Sequence, residues 1–281
     1  MPSASNIKPD TRSMNLFIGR SGSGKSAAAY SYPQPLHVLD LDGRIRGGLV
    51  PWVVRKGISY DYFPSKPEKG SVFDLLNAYF EKERILLKNG QSDLQTLVLD
   101  SATWQAIDLL LDAIPLTHAA TSKEKEKEKE KGRSIGSMLM AGPSDYSFQS
   151  TGIYQTLAFL RSLPIKNIIC TAHIVNRWGK RKDADGKVLD PYGPSEIIGE
   201  QLVLTDKLAE SLPSSFDNVF RFEKVDNGYE ERFYVEGRGE LARNTYGMTY
   251  GRKDITNKSF YDFLMEGVKS QQPAADAVGI L

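Results

Sequence analysis

Gly19-Arg20-Ser21-Gly22-Ser23-Gly24-Lys25-Ser26 is a full match to the pattern G-x-x-x-x-G-K-[ST], the phosphate-binding loop. Its glycines let the backbone curl so that successive N–H groups converge on phosphate oxygens. A following helix adds its positive N-terminal end. In such a loop Lys25 reaches the β- and γ-phosphates of ATP, and the Ser26 hydroxyl ligates Mg²⁺. The other reading, a glycine-rich surface turn, is weighed against context. Met14-Asn15-Leu16-Phe17-Ile18 reads as a short buried strand, and Lys25 to Tyr30 as the first turns of a helix that ends near Tyr32. Strand, glycine loop and helix stand in the required order.

The chain of 281 residues is long enough for one large α/β domain or a domain with an extension, and its 40% hydrophobic and 25% charged content is ordinary for a soluble globular protein. Lys+Arg (36) nearly balances Asp+Glu (35), so affinity for nucleic acid must come from local patches. The single cysteine, Cys170, sits in an apolar run and reads as a buried small hydrophobe. No apolar run reaches membrane-spanning length, and the polar segment 1–13 lacks a signal-peptide core. A cytoplasmic protein with no membrane partner is expected.

Working outward from the loop, residues 1–13 read as a flexible tail and 14–269 as the domain. Leu36 to Asp42 is a second strand ending in carboxylates, and Ile58 to Phe63 another short one. Ser71 to Leu87 has helical spacing and stops at Asn89-Gly90. Leu97-Val98-Leu99-Asp100 is apolar throughout, as a central parallel strand should be, and a helix follows from Ser101 to Leu116. Residues 117–150 read as a mobile insert. It holds the alternating run Lys123 to Lys131, whose like charges at i,i+4 offset its opposite charges at i,i+3.

Thr151 to Leu163 is the next helix, Ile165 to Thr171 a fourth strand ending at Ala172-His173, and His173 to Gly199 irregular. Leu202 to Leu212 reads as a short helix. Asn218–Lys224 and Glu231–Glu236 form a hairpin around Asp226-Asn227-Gly228. Ser259 to Val268 is a terminal helix, and 270–281 a second tail. The expected fold is α/β: a mainly parallel sheet flanked by helices, with an added antiparallel hairpin.

The chemistry gathers at strand ends, where an open α/β sheet places its ligands. Asp100 is the acid for the magnesium shell, or alternatively the N-cap of the next helix. The residue after it is Ser101, not Glu, so the carboxylate that polarises water must lie elsewhere. Asp40 and Asp42, one residue apart on a strand, point the same way; Asp42 is the candidate base, and a turn at Asp42-Gly43 is the alternative. His173 is a candidate contact to the γ-phosphate, or simply a strand-end histidine. Arg177, Trp178, Lys180, Arg181 and Lys182 combine cations with an aromatic ring, as single-strand binding requires, although a bare charge run is also an ordinary solvated loop. Arg238 and Arg243 are candidates to reach a neighbouring subunit's γ-phosphate, or ordinary surface arginines.

With those residues in place, the chain resembles the RecA-like phosphate-loop ATPases, and more closely the phage-encoded proteins of the RecA-like branch of the Sak single-strand annealing recombinases. The resemblance is carried by Gly19 to Ser26, Val38 to Asp42, Leu97 to Ser101, Asn167 to His173, Lys207-Leu208-Ala209 and Phe216 to Val219, over roughly residues 14–250. It implies an Mg²⁺-dependent ATPase, a homo-oligomer (ring or filament), acting on single-stranded DNA in a phage-infected cell, with a single-strand-binding protein as partner. DNA would face the segments around 116–150 and 174–198. RecA itself has glutamate where this chain has Asp42, and the Lys-Glu run departs from the family pattern. Two other classes remain in view: a nucleotide-gated loading factor with a protein partner, and a small-molecule kinase with Arg177 and Arg181 as lid. A packaging motor is disfavoured by Ser101 and by the lack of room for a nuclease domain.

Overall fold

Leu16-Phe17-Ile18 and Cys170-Thr171-Ala172 lie side by side at the centre of the sheet in a computed structural model of the chain. It describes residues 12–45, 57–63, 71–120, 143–180, 185, 188, 192–226, 230–239, 241–246, 248 and 251–271. The strands are β1 (Ser13–Gly19), β2 (Leu36–Asp40), β3 (Ser59–Tyr62), β4 (Thr96–Asp100), β5 (Asn167–Gly179), β6 (Glu196–Leu202), β7 (Asn218–Asp226), β8 (Glu231–Glu236) and β9 (Arg252–Asp254). The helices are α1 (Lys25–Ala29), α2 (Val72–Lys88), α3 (Ala102–Ala120), α4 (Pro143–Ser162), α5 (Asp206–Ser211) and α6 (Phe260–Gln271).

The strand order is β3-β2-β4-β5-β1-β7-β8-β9, with β6 paired to the far end of β5. From β3 through β7 every pair is parallel. The expected hairpin is β7–β8, and β9 extends it antiparallel. Side chains alternate across the strands, so each strand serves two cores. Leu16, Ile18, Leu97 and Leu99 pack with Leu76, Phe80, Leu109 and Leu160 from α2, α3 and α4. Phe17, Val38, Val98, Phe220 and Phe222 face the other way, onto Ala28 and Ala29 of α1 and Phe260 and Leu264 of α6. Phe17 is the hub of this second core, with ring centroids 4.9 Å from Phe222 and 5.4 Å from Phe260.

Helix α2 begins on a reciprocal cap. Ser71 Oγ accepts from Asp74 N, and Asp74 Oδ2 accepts from Ser71 N, both at 3.1 Å. Several boundaries differ from the sequence reading. Helix α1 stops at Ala29 and continues only as i→i+3 turns, Ser31 N to Ala28 O and Tyr32 N to Ala29 O. Pro33 disfavours helical backbone at Tyr32. Helix α4 begins at Pro143, not Thr151, and α3 reaches Ala120, so the two ends of the expected 117–150 insert are helical. The Lys123–Lys131 run lies outside the described residues. Strand β5 does not end at His173 but runs on to Gly179, held there by β6. The expected irregular segment is therefore a β-arm in part. The expected tails also contract, since β1 starts at Ser13 and α6 reaches Gln271.

Candidate nucleotide site

The loop leaves β1 at its carboxyl end, level with His173, the register partner of Gly19. A Cβ on Gly19 would stand 2.4 Å from Ser23 Oγ and 2.5 Å from Phe222 O, so only glycine fits the close approach. Gly24, with φ of 90°, turns the chain into α1 through left-handed backbone. Because α1 is only five residues long, its dipole offers little, and the work of binding an anion falls on the loop N–H groups and Lys25. Lys25 is buried, and its Nζ donates to Gly19 O at 2.9 Å and Arg20 O at 2.8 Å. Burial lowers its pKa to about 8, with the Asp100 charge opposing. A phosphate oxygen arriving here meets a desolvated cation whose present partners are two neutral carbonyls.

Asp100 closes β4 at the same edge and is buried. Its Oδ2 accepts from the Tyr30 hydroxyl at 2.9 Å, and its Oδ1 from Thr171 Oγ1. The cap of α3 is Ser101, whose Oγ accepts from Trp104 N at 3.4 Å, so Asp100 is not the helix cap. The Asp100–Ser101 peptide is cis. The donor set suits Mg²⁺, a hard cation that takes one or two protein oxygens and fills its shell with water and phosphate. Asp100 and the half-buried Ser26 hydroxyl are oxygens of this kind. Among the described residues no group of three or more His, Cys, Asp or Glu could hold a metal.

The strand ends at Asp40, yet the Asp40 and Asp42 side chains stay within hydrogen-bonding reach of each other, as two acids pointing the same way should. Asp40 is fully buried, and its Oδ2 accepts from Ile45 N at 3.1 Å, which fixes the turn. Asp42 stands 2.8 Å from Arg44 Nε and accepts from Arg44 N at 3.2 Å. Burial first, then the Asp100 charge, push its pKa up to about 7 against the pull of Arg44. That value suits a base working near neutral pH. His173 donates its backbone N–H to Thr103 Oγ1 at 2.9 Å. Burial and the charges of Lys25 and Arg44 lower its pKa to about 4, so its ring is neutral at pH 7.

The other candidate residues stand apart from this cluster. Arg177 and Trp178 lie on the protruding part of β5, not in a loop, and Trp178 is 62% exposed opposite Ile197 of β6. Lys180 Nζ donates to Gly193 O, and Arg181 and Lys182 lie outside the described residues. Arg20 turns away from the loop to Asn176 Oδ1 and to Glu200, 3.5 Å off, and Glu200 also pairs with Arg221 at 2.7 Å. Arg243 does not project as a finger. Its Nη2 donates to Pro213 O at 2.9 Å and Phe216 O at 2.6 Å, tying its loop to the turn after α5. Arg238 is exposed on the loop after β8. Tyr30, Thr171 and Arg44 were missed by sequence reasoning. The first two were absorbed into apolar segments, and Arg44 into a turn whose only signal was a cation two residues beyond a strand-end acid.

A phosphate loop at the carboxyl end of a central parallel strand, with helices on both faces and antiparallel strands at one edge, is the arrangement of a phosphate-loop α/β fold. No protein-family model matches the chain, and no curated protein sequence does. Among solved structures it is similar to a KaiC-like protein of Pyrococcus horikoshii, at 11% identity and a TM-score of 0.41, over 89% of this chain and 87% of that one. It is also similar to the flagellar accessory protein FlaH of Methanocaldococcus jannaschii, at 13% identity and a TM-score of 0.34, over 86% and 84%. Likeness this distant says nothing of ligand or partner.

Proposed function

We propose that the chain is an Mg²⁺-dependent ATPase that acts on single-stranded DNA in recombination or replication, like the phage-encoded proteins it resembles in sequence. One observation carries the reading. Lys25, Asp100, Asp42 and His173 converge at the carboxyl edge of the sheet, and β5 leaves that cluster unbroken toward Trp178. Lys25 binds the β- and γ-phosphates in place of its two carbonyls. Ser26 and Asp100 would hold Mg²⁺, which supplies charge neutralisation at the phosphates. Asp42 takes the proton of the water that attacks the γ-phosphorus, and the products are ADP and phosphate. Neutral His173 registers the γ-phosphate by hydrogen bonding. The ATP state can bias the arm only through such a differential contact. Self-association into a ring or filament belongs to this reading, with Arg238 the remaining candidate to reach a neighbour.

The test is the ATPase rate, and DNA affinity with an ATP analogue or without nucleotide, for wild type, Trp178→Ala and His173→Ala. Single-stranded DNA should stimulate turnover. Trp178→Ala should weaken DNA binding about five-fold or more, since stacking on one base contributes about 1–3 kcal/mol. His173→Ala should keep basal DNA binding and lose its dependence on ATP. Absence of DNA binding at low salt in every nucleotide state refutes the DNA role. A second reading, a nucleotide-gated loading factor, gains from the arm itself. Val175 (45%), Ile197 (53%) and Ile198 (45%) are exposed with Trp178, and Lys180 is engaged within the arm, which suits a protein partner. Turnover indifferent to DNA would favour it.

A further inference from the structure

The turn after β2 brings a cation to the phosphate loop from within the same chain. Arg44 Nη2 donates to Ser21 Oγ, the third residue of the loop, at 3.1 Å. Its Nε is fixed 2.8 Å from Asp42 Oδ2. Among the described residues Nη1 has no hydrogen-bond partner. Asp40, through its bond to Ile45 N, pins the backbone that presents this side chain. The charge of Arg44 is felt at both Lys25 and His173, whose proton affinities it lowers, so the guanidinium stands close to the groups that surround the loop.

Resting on the nucleotide-site reading, we propose that Arg44 contacts the terminal phosphate of the bound nucleoside triphosphate in cis, with Asp42 as its anchor. The planar fork of arginine suits this double duty. Nε can stay on the carboxylate while the Nη groups address a phosphate oxygen, which a lysine ammonium cannot do in one geometry. Asp42 and Arg44 then form a unit: the acid accepts the proton of the attacking water, and the guanidinium stabilises charge on the phosphoryl oxygens beside it. The site then carries an arginine of its own, whether or not a neighbouring copy adds another.

The alternative is that Arg44 serves only as the counter-ion of Asp42 and as a tether for Ser21. The two differ in what they ask of the γ-phosphate. Affinities for a non-hydrolysable ATP analogue and for ADP, both with Mg²⁺, are measured by calorimetry on the full chain for wild type, Arg44→Lys and Arg44→Ala, beside melting temperatures. The cis contact requires Arg44→Ala to weaken the analogue by about ten-fold or more, as loss of a charge-assisted hydrogen bond does, and ADP by less than about two-fold. Arg44→Lys, which carries the test if Arg44→Ala does not fold, should fall between. Equal weakening of both nucleotides, or of neither, overturns the contact and leaves the nucleotide site standing. Wild type that binds neither nucleotide overturns the site and this inference together. Mixing Arg44→Ala with Lys25→Ala protein decides cis against trans: restored turnover would mean that the arginine acts across subunits, and its absence is the expected result.

Discussion

Alanine at Lys25 is expected to remove ATP binding and turnover while leaving the fold at least as stable as before. The functional half follows from position, since Lys25 is the buried cation at the mouth of the loop. The stability half follows from its titration. The folded pKa is about 8 against an ordinary 10.5, so the unfolded chain holds the proton more tightly. Between about pH 8 and 10.5 the unfolded state therefore binds more protons, and wild-type stability should rise with pH across that window. Below pH 8 the lysine is charged in both states, and the fold bears the cost of its burial. Removing the charge relieves that cost and loses two hydrogen bonds to carbonyls. Nucleotide titration and thermal melts at pH 7 and 9 check both halves. Ordinary turnover by a folded Lys25→Ala protein would remove the nucleotide-site assignment. A large fall in melting temperature would show that the lysine is structural.

Asparagine at Asp42 should lower kcat by about 100-fold or more, the usual weight of a general base, and leave ATP affinity nearly intact. In wild type the rate should fall as pH drops through about 7, where Asp42 takes up its proton. That acid limb should vanish from what activity remains in Asp42→Asn. Asp40→Asn offers the contrast. Asp40 is fully buried on the Ile45 amide, so its loss should appear in the melting temperature before it appears in the pH profile. If Asp40→Asn abolishes the acid limb and Asp42→Asn keeps it, the base is the other acid.

The parts of the fold legible in the sequence were those where a single environment runs the length of an element. Leu97 to Leu99 is buried on both faces and reads as a central strand; Ser71 to Lys88 has a cap, a stripe and a stop. What escaped has mixed surroundings. Strand β5 is buried while neighbours cover it and mixed and exposed once only β6 remains, so its second half looked like a loop. Helix α1 carried a good helical sequence, but Tyr30 is spent on Asp100 and Pro33 follows two residues after Ser31. At the site, the loop and Asp100 were visible because motif and strand end coincide. Arg44 was not, because its role depends on where a turn brings it, and turns leave no periodic mark.

The unbroken course of β5 has a mechanical consequence. From His173 to Gly179 the strand advances six steps of about 3.3 Å, an arm of roughly 20 Å rooted in the central sheet. Its root is also clamped from the side, because Arg20 of the phosphate loop grips Asn176 and Glu200 on the two strands of the arm. The pairing shifts register between Arg177 and Trp178, so the clamp at Asn176 holds the regular half of the arm; if the pair tilted as one piece at His173, roughly 10° would carry the tip by roughly 3.5 Å. On the proposed function, a partner that engages the described edge at Trp178 and Ile197 would meet two strands already paired.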